Sequence, residues 1–197
     1  MTRTWSARRT HTPGYVLLED GTRFDGELRT PPISDSDLEG VTGEVVFNTS
    51  MTGYQESVTD PSYAGQIITF TYPMIGNYGV ADEAMESDRV HARGVIMREG
   101  RNSADAPDAE AGWLDWLRER RVPAIDGVDT RALVRHIRAR GAMRGGIFPA
   151  GLPQAESRDR RGRWRERRGP ATARAPRGRR RCTEAASPGN LAPEAGG

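Results

Sequence analysis

Lysine does not occur in this sequence, and all 29 basic residues are arginine. Its absence excludes a GxxxxGK[ST] phosphate loop, Schiff-base chemistry and a lysine general base. Cysteine is nearly as scarce: the single Cys182 allows neither an internal disulfide nor a Cys-cluster metal site. The three histidines, His11, His91 and His136, stand too far apart for helical HExxH zinc spacing, so no metal site is expected. No apolar run approaches the roughly 20 residues of a membrane span. Thr10-His11-Thr12-Pro13-Gly14 falls where a signal peptide needs its apolar core. The expectation is a cytoplasmic, reducing compartment without membrane contact.

What the chain does contain is unevenly divided. Residues 1–150 hold 17 basic and 22 acidic residues, whereas 151–197 hold 12 and 5. The net +2 of the whole therefore hides a mildly acidic body and a basic tail. Residues 151–197 have only Leu152, Trp164 and Leu191 as large apolar side chains. Such a segment cannot offset about 1–2 kcal/mol of backbone entropy per ordered residue. It is expected to be a disordered Arg/Gly/Pro-rich tail, and residues 1–13 a flexible N-terminus.

Between them, residues 14–150 read as one α/β domain. Tyr15–Leu18 and Thr22–Leu28 flank Asp20-Gly21, a hairpin-turn pair. Thr30–Val41 is a polar loop. Glu44–Asn48, Gln66–Tyr72 and Ala92–Arg98 are short, β-branched and strand-like. Ala109–Arg121 places Trp113, Trp116 and Leu117 on one helical face, as packing anchors. Pro123–Ile125 is a brief strand. Asp129 can cap a helix over Thr130–Arg140 that Gly141 stops, with His136 at the core edge, and Ala142–Phe148 closes the domain as a strand.

The densest stretch is Gly43–Val80, GEVVFNTSMTGYQESVTDPSYAGQIITFTYPMIGNYGV, flanked by LLEDGTRFDGE, VHARGVIMRE and PAIDGVDTRALVRHIRARGAMRGGI. Together these resemble the N-terminal domain of the carbamoyl phosphate synthetase small chain, the glutamine amidotransferase subunit. The resemblance implies a swivelling β/β/α-type domain that contributes to the subunit interface and lines one edge of the glutamine site. It also implies a ligase making carbamoyl phosphate from glutamine, bicarbonate and two ATP, for pyrimidine and arginine biosynthesis. The partner it implies is the large chain, which receives ammonia and carries the ATP and Mg; no cofactor is expected on this chain.

The same resemblance calls for a glycine-flanked cysteine nucleophile with a downstream histidine and glutamate. Cys182 instead lies in RRRCTEAA with no histidine after it, so it is not that nucleophile. No catalytic residue is expected, and the chain reads as truncated, a binding module without glutaminase activity. An out-of-frame tail beyond about Ser157 is the simplest account of the Arg-rich end.

One position takes over a substrate contact by resemblance: Ser62, in Thr59-Asp60-Pro61-Ser62-Tyr63, for glutamine in the intact enzyme. Read from the residues alone, the same five form a tight turn. Gln55 and Glu56 invite an acid–base role, but as neighbours on a strand they would point to opposite faces. The edge around Tyr54, Tyr63, Tyr72, Met74, Ile75 and Tyr78 is expected to form an apolar seam, although for any individual residue of the patches 52–56 and 73–79 the plainer reading is that the tyrosines fill core and Gly53, Gly76 and Gly79 meet positive-φ demands. The alternative class is a non-enzymatic nucleic-acid-binding or orphan interaction protein using the arginine tail, with an unselected, solvated tail preferred over it.

Overall fold

The computed structural model describes residues 12–30, 40–105 and 107–152. The chain divides into two units, Met1–Arg167 and Arg168–Gly197. The second, and with it almost all of the segment expected to be disordered, lies outside the described residues. So does most of the expected flexible N-terminus, although the first strand already begins at Thr12.

Among the described residues nine strands and three α-helices follow in chain order: β1 Thr12–Leu18, β2 Arg23–Leu28, β3 Val41–Asn48, α1 Tyr54–Thr59, β4 Gln66–Phe70, β5 Met74–Ile75, β6 Gly94–Ile96, β7 Glu99–Gly100, α2 Trp113–Glu119, β8 Ala124–Asp126, α3 Thr130–Arg140 and β9 Met143–Pro149. Seven strands close into a mixed barrel in the order β1-β2-β8-β6-β4-β3-β9, while β5 and β7 form a small parallel pair outside it. The fold is α/β, as expected. β3, β4, β6 and β8 run parallel to one another, and β1, β2 and β9 complete the ring with antiparallel pairings.

Burial on both faces explains why the parallel strands are apolar without alternation. Val45, Ile67, Ile96 and Ile125 point into the barrel, where they meet Val16, Leu18 and Ile147 and where α3 adds Leu133 and Ile137. Their neighbours Ile68, Phe70, Val95, Met97 and Ala124 point outward to a second core with Tyr54, Trp113, Trp116 and Leu117. The two tryptophans stack at 5.5 Å, and the Trp113 indole N–H donates to Met97 Sδ at 3.4 Å.

The turns follow their residues. Gly21 adopts φ 92° in the β1–β2 hairpin, as the Asp-Gly pair requires. Asp129 accepts the Ala132 amide at 3.0 Å and caps α3. Gly141, at φ 92°, ends that helix. His136 sits at the core edge with its Nε2 2.6 Å from Asp20 Oδ2, tying α3 to the hairpin.

Two expectations need correction. Residues 54–59 form helix α1, not strand, so the strand argument that set Gln55 and Glu56 on opposite faces does not hold. A six-residue helix is too short to show a 3.6-residue period, and the left-handed Gly53 before it (φ 79°) carries no capping side chain. The expected apolar seam holds only in part: Met74 is exposed and Tyr63, Tyr72 and Tyr78 are half-buried, but its other two members are not at the surface. Tyr54 and Ile75 are buried, and Met51 and Met74 are the exposed large apolar side chains among the described residues. The cause is Gly76, at φ 89°, whose missing side chain lets the strand pack against α2. A Cβ there would lie 2.2 Å from the Arg101 carbonyl oxygen and 2.6 Å from Trp113 Cβ.

Candidate functional site

Ser62 lies on the connection from α1 to β4. Asp60 ends α1, and its carboxylate turns back to start a single 3-10 turn, Pro61–Tyr63. Proline suits the first position because its φ is preset and its missing amide is not needed there. The Ser62 amide donates to Asp60 Oδ1 at 2.7 Å, and the Ser62 hydroxyl donates to the same oxygen at 2.6 Å. Asp60 is held below the usual carboxylate range, first by the Ser62 hydroxyl, then by its amide, with a smaller contribution from His91.

This geometry fixes what Ser62 offers. The side chain is exposed, and its one hydrogen is engaged by Asp60, so its lone pairs face outward. An N–H group of a ligand could be accepted without rearrangement. A carboxylate would require the hydroxyl to turn away from Asp60.

The neighbouring polar groups are fixed by hydrogen bonds to side chains and to backbone. Asn48, at the end of β3, donates through Nδ2 to Ser57 Oγ at 2.9 Å and reaches Tyr63 Oη at 3.5 Å. Gln55 is clamped on Ala81, donating to its carbonyl at 2.7 Å and accepting its amide at 3.0 Å. That pair of hydrogen bonds holds Gln55 in place, and its amide is not a titrating group. Tyr54 donates to the Gly79 carbonyl, and Tyr78 accepts the Gly53 amide at 2.8 Å. Burial pushes both phenols above their usual pKa, so both remain neutral.

The structure therefore holds Ser62 on the Asp60 carboxylate, and no cluster of metal-ligating side chains occurs among the described residues. Cys182 lies outside them. The sequence reading missed His91 and Ser87, which meet close to Asp60: His91 Nε2 lies 3.1 Å from Ser87 Oγ. No motif signals that pair, because a His four residues after a Ser in a loop has no fixed geometry.

Comparison with known proteins now bears on this arrangement. Residues 16–147 match the family described as carbamoyl-phosphate synthase small chain, CPSase domain. The chain belongs to that family. Carbamoyl phosphate synthase small chains from three organisms show the extent of the likeness. That of Caldanaerobacter subterraneus subsp. tengcongensis is 46% identical over 132 residues, covering 67% of this chain and 35% of its own length. That of Thermosynechococcus vestitus is 50% identical over 139 residues, 69% and 34% respectively. That of Methanopyrus kandleri is 50% identical over 134 residues, 68% and 36%. The chain thus spans about a third of the length of the small chains it matches. An aminopeptidase from Aneurinibacillus sp. strain AM-1 overlaps 74% of the chain and 32% of its own, with 20% identity and a TM-score of 0.39, which bears on neither fold nor function. No helix among the described residues is long and apolar enough to cross a membrane.

Proposed function

We propose that this chain is the N-terminal, interface-forming part of the glutamine amidotransferase subunit of carbamoyl phosphate synthase, with the family's swivelling β/β/α architecture. In the assembled enzyme its partner is the large chain, which binds ATP and Mg and turns ammonia, bicarbonate and two ATP into carbamoyl phosphate. Ser62 contributes one edge of the glutamine site. The observation that carries this reading is the match over residues 16–147, joined to a Ser62 hydroxyl that its turn presents at the surface.

A polypeptide of these 197 residues does not hydrolyse glutamine. Its lone Cys182 is followed by no histidine, and a thiol without base or oxyanion donors lacks what makes cysteine a hydrolytic nucleophile. Co-purification with the large chain tests the interface role: a stable complex is expected, with ammonia-dependent synthesis intact and no glutamate released from glutamine. Cys182-dependent glutamate release would overturn the inactivity. Failure to bind the large chain, together with RNA retention that falls steeply with salt, would favour the nucleic-acid alternative.

A further inference from the structure

Ser62 stands on a stem, residues 58–60, that the segment 86–92 grips. The Glu86 amide donates to Thr59 Oγ1 at 3.0 Å, and Ser87 Oγ donates to the Thr59 carbonyl at 2.6 Å. The His91 and Ala92 amides donate to the Val58 carbonyl at 2.9 and 3.2 Å. The His91 ring then closes the grip by meeting Ser87 Oγ.

A carboxylate, an imidazole and a serine hydroxyl in sequence suggest a hydrolytic triad, Asp60, His91 and Ser87. Counting hydrogens argues otherwise. Ser87 has one hydroxyl hydrogen, and two of its neighbours, the carbonyls of Thr59 and of Arg89 at 3.1 Å, can only accept. The hydrogen goes to a carbonyl. The contact with His91 must then draw its hydrogen from the imidazole, which fixes the Nε2–H form. A ring donating through Nε2 cannot take a proton from Ser87 there, so the trio is a support and not a nucleophile.

We propose that His91 is a positioning residue for Ser62: by donating Nε2–H to Ser87 Oγ it locks that hydroxyl onto the Thr59 carbonyl and so fixes the Asp60 turn that aims Ser62. The consequence for glutamine rests on the reading of Ser62 above; the hold on the turn does not.

Nitrogen-15 NMR of the full chain provides the test. The neutral His91 ring should show the Nε2–H tautomer. His91→Leu and Ser87→Ala should each speed amide exchange at Ser62 about fivefold, the scale expected when one net hydrogen bond is lost. His91→Gln, which presents an N–H at the place of Nε2, should restore most of the protection. A merely space-filling histidine would make Gln and Leu alike. An Nδ1–H tautomer, or unchanged Ser62 exchange in Ser87→Ala and His91→Leu, overturns the proposal; if His91→Leu does not fold, Ser87→Ala alone decides. Assembly with the large chain and a separately supplied amidotransferase domain then separates the two readings. His91→Leu should raise the glutamine KM and leave ammonia-dependent kcat unchanged. If Ser62→Ala raises that KM and His91→Leu does not, the positioning role is overturned. If Ser62→Ala has no effect, glutamine leaves the reading, and tautomer and exchange alone decide the role of His91.

Discussion

The interior of the barrel and the layer packed outside it are built from different side chains. Inside, the fully buried contacts are aliphatic, among them Ile67, Ile96, Ile125 and Leu133. Outside, Tyr54, Phe70, Trp113 and Trp116 dominate, and their neighbours are fixed by polar tips reaching backbone: Tyr54 to Gly79, Tyr78 to Gly53, Gln55 to Ala81. Aliphatic packing is non-directional and needs only volume, whereas each polar tip must find its one partner. The division suits the roles assigned above. A barrel whose strands satisfy each other supplies stiffness, and the outer layer supplies precise placement for the Ser62 turn.

The strongest way to break this comparison is to empty each region once. Trp113→Ala should cost about 3–5 kcal/mol and Ile67→Ala about 2–5 kcal/mol in denaturant melts. Their hydrogen-exchange patterns should differ. Losing Trp113 should loosen α1 and α2 ahead of β1 and β9, while losing Ile67 should loosen barrel strands first. Identical patterns would mean that the two cores form one cooperative unit.

A sharper cut removes polar placement without removing bulk. Gln55→Leu keeps the side chain's size but leaves the half-buried Ala81 amide and carbonyl without their partner. A loss of about 1–3 kcal/mol is expected in the same melts. Gln55→Glu should not restore it, since a carboxylate can accept the Ala81 amide but cannot donate to the carbonyl. A neutral Gln55→Leu would show that packing alone holds the outer layer.

The same contrast explains what could be read in the sequence. The barrel strands were legible because β-branched runs such as Gln66–Phe70 and caps such as Asp129 and Gly141 act locally. The anchoring by Trp113 and Trp116 was legible from helical spacing. Helix α1 was not, because six residues after a left-handed glycine show no period. The burial of Ile75 was not, because it depends on Gly76 meeting Arg101 and Trp113 across 25 and 37 residues of chain. At the candidate site the Asp60–Ser62 turn was visible in the five residues themselves. The grip of Ser87 and His91 on Thr59 was invisible, since it joins segments by single side-chain bonds that leave no pattern.

A third test concerns the polar tether on the barrel side. Burial pushes the Asp20 carboxyl up, but the Thr22 amide and hydroxyl and the His136 ring together outweigh it and hold the carboxyl at about 2. A folded-state pKa below the unfolded value stabilises the fold above the unfolded value, and that stability is lost as pH falls through the folded one. The window is therefore about pH 4 down to pH 2. Because Asp20 and His136 pair at the surface, each side chain 22% exposed, solvent screening should keep the effect to about 1 kcal/mol or less. Thermal melts between pH 2 and 5 should show a shallower acid slope for Asp20→Asn. An unchanged slope would mean that the hairpin rests on packing alone.

The smallest expected effect lies at the seam where the outer layer passes into the barrel. Arg121, between α2 and β8, has φ 57° and is the one non-glycine residue with positive φ among those described. The turn is bonded tightly: the Arg121 amide donates to the Arg118 carbonyl at 3.1 Å and the Val122 amide to the Leu117 carbonyl at 2.9 Å. A residue bearing Cβ gives up roughly 1–2 kcal/mol in this conformation. Glycine would recover that, less the roughly 0.5–1 kcal/mol it loses through the greater freedom of the unfolded chain. Arg121→Gly should therefore stabilise the protein by about 0.5–1 kcal/mol, and Arg121→Val, β-branched at the same φ, should destabilise it. Since β8 faces both cores, the gain should appear as slower exchange in β6 and β8 as well as in α2. If Arg121→Gly is neutral or destabilising in melts, the arginine side chain makes a contact that offsets its strain, and the seam is held by more than its backbone turn.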